Sequence, residues 1–263
     1  MPKNKSVIVL LCLLATACTV NVNNTPANPA PSAAPSAMPS AAPSSTPDNG
    51  SSTPTPTPTP EVSTAGLIEY LDFSAAPPAE QTGLSATPDR LAQADQAWRF
   101  SGESNSFYRV DRDINGTTLP QATFSAWVRT AGENGVDQGH IISPDNANTS
   151  RMLYFTSSSG SPLWHAGTGP SSDDLSTQAL VNRWQLLTVT YDDSSNTVAL
   201  YVDGNLRAST TELAPRNGYD YFHIGNSPFS GKFFVGDIDE VRVYNRVLSD
   251  SEIQQLYLAS KDR

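Results

Sequence analysis

From Leu67 onward, the sequence alternates short apolar runs with clusters of Gly, Asn, Asp, Ser and Pro. The runs include LIEYLDF, ATFSAWVRT, RWQLLTVTY and TVALYVDG. Short runs of β-branched and aromatic residues between turn residues are typical of strands. Many such strands in one chain predict an all-β, two-sheet antiparallel jelly-roll sandwich. We assign this domain to residues 64–263, a length that can bury a substantial core without cross-links.

Two local patterns refine this prediction. DGN around Gly204 is typical of a tight turn with positive φ, which would return Leu206 antiparallel to Tyr201. Ser249 followed by Glu252 forms a capping-box sequence, and one face of the following segment is apolar. We therefore expect one short C-terminal helix, packed against the sandwich through Ile253, Leu256 and Tyr257.

The first residues resemble the leader of bacterial lipoproteins. A basic start, MPKNK, precedes an apolar run that is too short to span a bilayer, and LLATAC then ends at Cys18. The resemblance implies a signal peptide at residues 1–17, cleavage before Cys18 and lipidation of that cysteine. Thr19 is not Asp, so the implied location is a bacterial cell envelope, lipid-anchored at the outer membrane. The alternative is an ordinary secretory signal in which Cys18 has no role.

Residues 18–63 read as a lipid anchor followed by a Pro/Ser/Ala/Thr-rich linker. Residues 19–63 hold 11 of the 21 prolines and almost nothing apolar to bury. Proline fixes φ and removes a backbone donor, so the segment predicts a disordered, extended stalk. Its full reach would be about 140 Å at ~3.1 Å per residue.

Charge and cysteine content exclude several functions. The formal net charge is −10, which argues against nucleic-acid binding and against a polybasic membrane patch. The two cysteines, Cys12 and Cys18, lie in or at the end of the leader. Residues 64–263 therefore offer no disulfide, no thiolate zinc site and no cysteine nucleophile.

Six segments, in order, resemble the laminin G-like, concanavalin A-type jelly-roll domains of bacterial surface proteins. They are LIEYLDFS, AWRFSGESNSFYRV, ATFSAWVRT, RWQLLTVTYDDSSNTVALYVDGNLRA, FHIGN and FFVGDIDEVRVYNRVLSDSEIQQLY. The resemblance runs from about Leu67 to Leu258 and implies two stacked antiparallel sheets of roughly six or seven strands. Family members include glycan-binding modules, adhesive domains and accessory domains of polysaccharide-degrading enzymes. The fold also supports glucanases, so function must be argued from a site.

The acidic segment GDIDEV is the nearest approach to a catalytic motif. Retaining glycosidases need two carboxylates about 5–5.5 Å apart, and this fold supplies them from alternate positions of one strand. Here the apolar alternation breaks between Ile238 and Val241, which predicts a β-bulge at Asp239–Glu240. We expect one carboxylate to turn inward and cap backbone donors near the first strand, and the other to face water. The three histidines are scattered along the sequence and no nucleophile elbow occurs, so we expect no enzymatic activity.

A metal role for this segment also follows only from the resemblance. Many relatives hold a structural Ca²⁺, with acidic residues just after the first-strand Phe and in a Phe-Asp-Gly turn. Those places are Ser74 and Ser101 here, and Asp239 alone matches. We therefore expect no required cofactor, with a structural Ca²⁺ at Asp239 as the alternative.

Binding is the remaining function. Sugar recognition uses aromatic faces with nearby hydrogen-bonding groups, and Trp98, Trp127 and Trp184 lie in apolar runs typical of a core. The predicted partner is a polysaccharide or a surface protein, bound without catalysis. A glucanase or lyase and a purely architectural envelope protein are the alternatives. The candidate ligand-binding residues are Trp164, which polar and turn residues flank, with Tyr154, Tyr219 and Phe229.

Overall fold

The computed structural model of the protein describes residues 61–132, 138–145, 150–157, 160–169, 174–214 and 220–262. The described residues form fourteen strands and one helix. The bounds are β1 Leu67–Leu71, β2 Leu84–Thr87, β3 Ala97–Ser101, β4 Tyr108–Val110, β5 Gln121–Thr130, β6 Gln138–Pro144, β7 Ser150–Thr156, β8 Leu163–Thr168, β9 Leu175–Gln178, β10 Gln185–Asp192, β11 Thr197–Val202, β12 Asn205–Thr210, β13 Phe222–Ile224, β14 Val235–Tyr244 and α1 Asp250–Ser260. Cys18 and residues 19–60 of the proline-rich stalk lie outside the described residues.

The strands form two sheets, as the sequence predicts. The larger has eight strands in the order β12-β11-β10-β5-β14-β3-β2, with β1 also paired to β14. The smaller has six strands in the order β4-β13-β6-β7-β8-β9. Neighbouring strands are antiparallel in both sheets. The predicted all-β sandwich is confirmed.

One apolar core lies between the sheets. Alternate residues of each strand point inward because successive side chains lie on opposite faces of a sheet. In β5 and β10, Phe124, Val128, Leu187 and Val189 contribute to this core. The smaller sheet contributes its own inward residues to the same cluster, namely Leu153, Phe155, Trp164, Ala166, Phe222 and Ile224. The polar and aromatic residues between them therefore occupy the outer face of the smaller sheet.

Strand β14 carries the predicted bulge. Asp239 pairs with Trp127, but the next pair is Arg242 with Ser125, so β14 has one extra residue at this point. Glu240 has φ of 49°, in the left-handed region. The extra residue explains why Ile238 and Val241 can both be fully buried although they do not alternate.

Helix α1 packs on the outer face of the larger sheet. Ser249 and Glu252 form the predicted capping box, and Ile253 and Leu256 are buried against a second apolar cluster that includes Trp127. The turn at Gly204 has positive φ and pairs Tyr201 with Leu206, as predicted. The described part of the chain contains no helix with both the length and the apolar character needed to cross a bilayer.

Candidate functional site

Asp237, the first of the three acidic residues in β14, is held by two arginines. Its carboxylate is fully buried on the outer side of the larger sheet. Arg99 on β3 lies 2.8 Å from Oδ1, and Arg129 on β5 lies 2.6 Å from Oδ2. These guanidinium groups come from the two strands that flank β14, at the positions paired with Asp237. Asp237 therefore joins three neighbouring strands.

Asp239 is buried beside the bulge. Its Oδ1 accepts the Glu240 backbone N–H at 2.7 Å, and its Oδ2 forms an ion pair with Arg90 Nη1 at 3.0 Å. Burial, together with the nearby charge of Glu240, raises the pKa of Asp239 to about 7, although Arg90 opposes this shift. The expected cap is present, but it serves the bulge itself and not the first strand.

Glu240 does not face water as expected. Its side chain is only 13% exposed and lies between two guanidinium groups. Arg90 Nη2 is 3.1 Å from Oε1, and Arg242 Nη1 is 3.0 Å from Oε2. The expectation failed for two reasons. Arg90 is 150 positions from Glu240 in the sequence, and Arg242, two residues after Glu240, also directs its guanidinium to this carboxylate.

Arg90 connects three parts of the domain. Besides the two carboxylates, its Nε donates to the carbonyl oxygen of Ser260 at 2.7 Å, and its guanidinium lies 4.9 Å from the Trp127 ring centroid. Ser260 ends α1, whose last turn has no basic residue of its own. A cation at a helix C-terminus offsets the negative end of the helix dipole. Arg90 thus links the β2–β3 connection, the bulge and the final helix.

The residues around Asp239 do not fit the calcium ion that the fold family implies. Calcium takes six to eight oxygen ligands. Ser74 and Ser101 supply no carboxylate, and the guanidinium of Arg90 already engages oxygens of both Asp239 and Glu240. Within the described ranges, no group of three or more His, Cys, Asp or Glu side chains is arranged to hold a metal.

Glycoside hydrolysis also finds no support at this strand. A retaining mechanism needs one carboxylate free to attack and a second free to exchange a proton. The three acidic side chains are each paired with arginine, and α1 packs on the same face of the sheet. The acidic segment is therefore a structural ion-pair network.

The outer face of the six-stranded sheet carries a different arrangement, a row of stacked rings. His140, Tyr154 and His165 are directly paired across β6, β7 and β8. Tyr154 lies 5.4 Å from His140 and 4.6 Å from His165 between ring centroids, with interplanar angles of 20° and 8°. The Tyr154 hydroxyl donates to Asp174 Oδ2 at 2.7 Å. In-register pairing of adjacent strands fixes this stack.

A second group of rings lies on the same face, at β4 and β13. His223 stacks on Phe107 with centroids 4.5 Å apart, and its Nδ1 is 2.7 Å from Asn226 Oδ1. The Arg109 guanidinium lies 3.6 Å from the centroid of Tyr221. We call the two groups together the ring strip: Phe107, Arg109, His140, Tyr154, His165, Tyr221 and His223. The three histidines that look scattered in the sequence thus share one sheet face.

The histidines of the ring strip are held in their neutral form. Burial, with a smaller contribution from Lys232, lowers the pKa of His140 to about 4. Burial also lowers the pKa of His165 and of His223. A neutral imidazole offers one donor and one acceptor. His140, Tyr154 and His223 are buried, so the strip reaches solvent mainly through Phe107, Arg109, His165 and Tyr221, with little histidine charge at neutral pH.

The predicted ligand-contacting residues have different fates. The prediction that Trp164 contacts a ligand is wrong. Its ring is fully buried in the core, and its Nε1 donates to Gln185 Oε1 at 3.0 Å. Tyr154 belongs to the ring strip, but imidazole rings cover both of its faces. Phe229 is 62% exposed, in the connection between β13 and β14. Tyr219 lies outside the described residues.

Comparison with known proteins agrees with this geometry. A laminin G family model, described as Concanavalin A-like lectin/glucanases superfamily, matches residues 101–254. The chain belongs to this superfamily. No curated protein matches its sequence. For a concanavalin A-like domain, the family match sets the fold and leaves the ligand open, since the name itself covers lectins and glucanases.

Solved structures share the concanavalin A-like fold at low sequence identity. The binding domain of Paraclostridial Mosquitocidal Protein 1 is 18% identical, with a TM-score of 0.51, and the match covers 67% of this chain and 45% of that one. The binding domain of Botulinum Neurotoxin DC in complex with SialylT is 13% identical, with a TM-score of 0.50, covering 66% and 44%. This domain therefore spans less than half of the chains that it matches, and these likenesses establish the fold alone.

Proposed function

We propose that the protein is a lipid-anchored cell-envelope module that binds a polysaccharide without cleaving it, through the ring strip and through Phe229 in the connection that follows β13. The observation that carries the proposal is the ring strip itself. Helix α1 covers part of the outer face of the larger sheet, whereas the smaller sheet presents aromatic and hydrogen-bonding side chains on its outer face.

The chemistry of the strip suits a sugar. Pyranose rings have apolar C–H faces and polar hydroxyl edges, so they need aromatic surface next to donors and acceptors. Phe229 exposes most of its ring. Half-buried His165, whose pKa is lowered by burial, and exposed Arg109 supply hydrogen-bonding groups on the solvent side of the strip. Tyr154 and Tyr219 remain candidates for contact with the sugar, Tyr154 through its hydroxyl group.

Preorganisation favours binding over an architectural role. The rings are fixed by strand register and by mutual stacking, so little conformational entropy remains to be lost when a ligand binds. A domain of similar fold, the binding domain of Botulinum Neurotoxin DC, was solved in complex with SialylT. That precedent supports a carbohydrate ligand for the present domain, and our proposal includes no cofactor.

The anchoring part of the proposal depends on the N-terminal sequence. Lipidation at Cys18, the stalk at 19–63 and the domain at 64–263 would hold the ring strip clear of an outer membrane. A Cys18→Ser variant tests this directly. We expect the full-length protein to fractionate with membranes and the variant to be released; an unchanged membrane fraction for the variant would show that Cys18 is not the anchor.

A glycan array probed with the full-length chain tests the binding part. Phe229→Ala should lower the affinity for the bound glycans about three- to ten-fold, the range expected for one aromatic contact. Leu206→Ala is the matched control, because Leu206 is 50% exposed on β12 of the other sheet. Equal loss in both variants, or an array without signal beside recovery of an envelope protein, would contradict polysaccharide binding at this face.

A further inference from the structure

A groove at the end of β1 is separate from the ring strip. It has a volume of about 280 Å³ and lies where the end of β1 meets β3 and β4, at one edge of the sandwich. Four aromatic residues line it, with one carboxylate: Tyr70, Phe73, Trp98, Tyr108 and Asp72. We propose that this groove takes the side chain of a lysine from a protein partner. We call it the Tyr70 groove.

The floor of the groove is rigid and apolar. Trp98 lies 4.5 Å from Phe73 and 5.4 Å from Tyr108 between ring centroids. The Trp98 indole N–H is already satisfied by the Ala75 carbonyl at 2.7 Å. Phe73 has φ of 50°, a conformation that bulky residues rarely adopt, and this backbone places its ring on Trp98. These contacts leave apolar ring surface at the floor of the groove.

The charge at the groove is negative. Asp72 is exposed and accepts the Ser74 backbone N–H at 3.2 Å; within the described residues it forms no ion pair. A second cavity of about 190 Å³ adjoins the groove through Tyr70 and Asp72, and it adds the carboxylate of Asp89. The guanidinium of Arg90 in that cavity is committed to Asp239, Glu240 and the end of α1. The groove therefore favours a cation.

The shape and lining favour lysine over an amino sugar. A sugar would bury hydroxyl groups against Leu71, Ala76 and Pro78, where they would lose hydrogen bonds to water. A lysine instead packs an aliphatic stem against apolar surface and keeps its ammonium at a polar rim. The Arg242 guanidinium, paired with Glu240, already lies 4.4 Å from the Tyr70 ring centroid, so the counter-ion available to the lysine is the Asp72 carboxylate. The lysine ammonium would lie between the Tyr70 hydroxyl region and Asp72.

Titration of the full-length chain with a blocked peptide, acetyl-Ala-Lys-Ala-amide, tests the proposal. The readout is the NMR signal of the Trp98 indole N–H, which lies at the groove floor. We expect saturable shifts that the norleucine analogue does not produce. Asp72→Asn should weaken binding about three- to five-fold, as for loss of an exposed ion pair. Glu212→Gln makes the same change in charge at an exposed site just after β12, at the opposite edge of the larger sheet from β3, and should leave binding unchanged.

Three results would overturn it. Equal binding of the norleucine peptide would show that the ammonium contributes nothing. Equal weakening by Asp72→Asn and Glu212→Gln would show a general charge effect. Tighter binding of glucosamine than of the lysine peptide would make the groove a sugar subsite. None of these results concerns Phe229 or the glycan array, so the two proposals are tested independently.

Discussion

Replacing Arg90 with Met should destabilise the protein strongly, because Arg90 holds two buried carboxylates. The Arg90 side chain is 5% exposed and pairs with Asp239 at 3.0 Å and Glu240 at 3.1 Å. Methionine keeps an unbranched apolar stem of similar length and removes the charge. Glu240 retains Arg242, whereas Asp239 loses its ion-pair partner. Breaking a buried pair from one side costs about 3–5 kcal/mol.

The cost should depend on pH. Burial and Glu240 raise the pKa of Asp239 to about 7 in the native protein, and Arg90 opposes that rise. Without Arg90 the pKa rises further, so at pH 5.5 the carboxyl group is neutral in the variant and mostly neutral in the native protein. The loss in unfolding free energy should therefore be largest near pH 8.5 and clearly smaller at pH 5.5.

Urea unfolding followed by tryptophan fluorescence at these two pH values gives the comparison. Arg109→Met is the control, since its ion pair with Asp111 is exposed and worth at most about 1 kcal/mol. Adding Asp239→Asn to Arg90→Met should restore part of the lost stability at pH 8.5. Equal effects of Arg90→Met and Arg109→Met, or a larger loss at pH 5.5, would refute the role assigned to Arg90.

Three further predictions concern the fold and the ring strip. His140 has a pKa of about 4 when folded and 6.5 as its ordinary value, so the unfolded chain binds a proton first and stability is lost as pH falls through this window. As pH falls from 6.5 to 4 in urea unfolding, the free energy of unfolding of His140→Gln should rise relative to that of the native protein by up to about 3 kcal/mol. A difference between the two proteins that does not change with pH would contradict the burial of His140. Trp164→Ala should cost about 3–5 kcal/mol as a core truncation, and Phe229→Ala less than about 0.5 kcal/mol; similar midpoints would place Trp164 at the surface. The thermal midpoint should not change between EDTA and millimolar Ca²⁺, whereas a rise with Ca²⁺ would show that the ion binds.

The sequence predicts what local patterns encode. The broken alternation between Ile238 and Val241 gives the bulge, and the spacing of Ser249 and Glu252 gives the start of α1. Both depend on residues within a few positions of each other, where strand and helix periodicity decide the outcome.

Contacts across the fold carry no such signal. Trp164 is flanked by turn residues, yet β8 alternates inward at this position, and the indole N–H partner, Gln185, is 21 positions away on another sheet. Arg90 lies 149 positions from Asp239. The ring strip could have been found only by noting that each histidine has the opposite strand parity to its apolar neighbours and by knowing the strand order.

The most direct test of binding without cleavage compares one polysaccharide before and after it binds the protein. A glycan captured by the full-length chain is eluted, and its chain length and reducing or unsaturated ends are measured against an untreated sample. We expect the glycan to be retained, more weakly by Phe229→Ala, with its chain length and its ends unchanged. Shortened chains or new ends, lost in an Asp239→Asn variant that still folds, would show that the acidic strand is catalytic and that the proposed function is wrong.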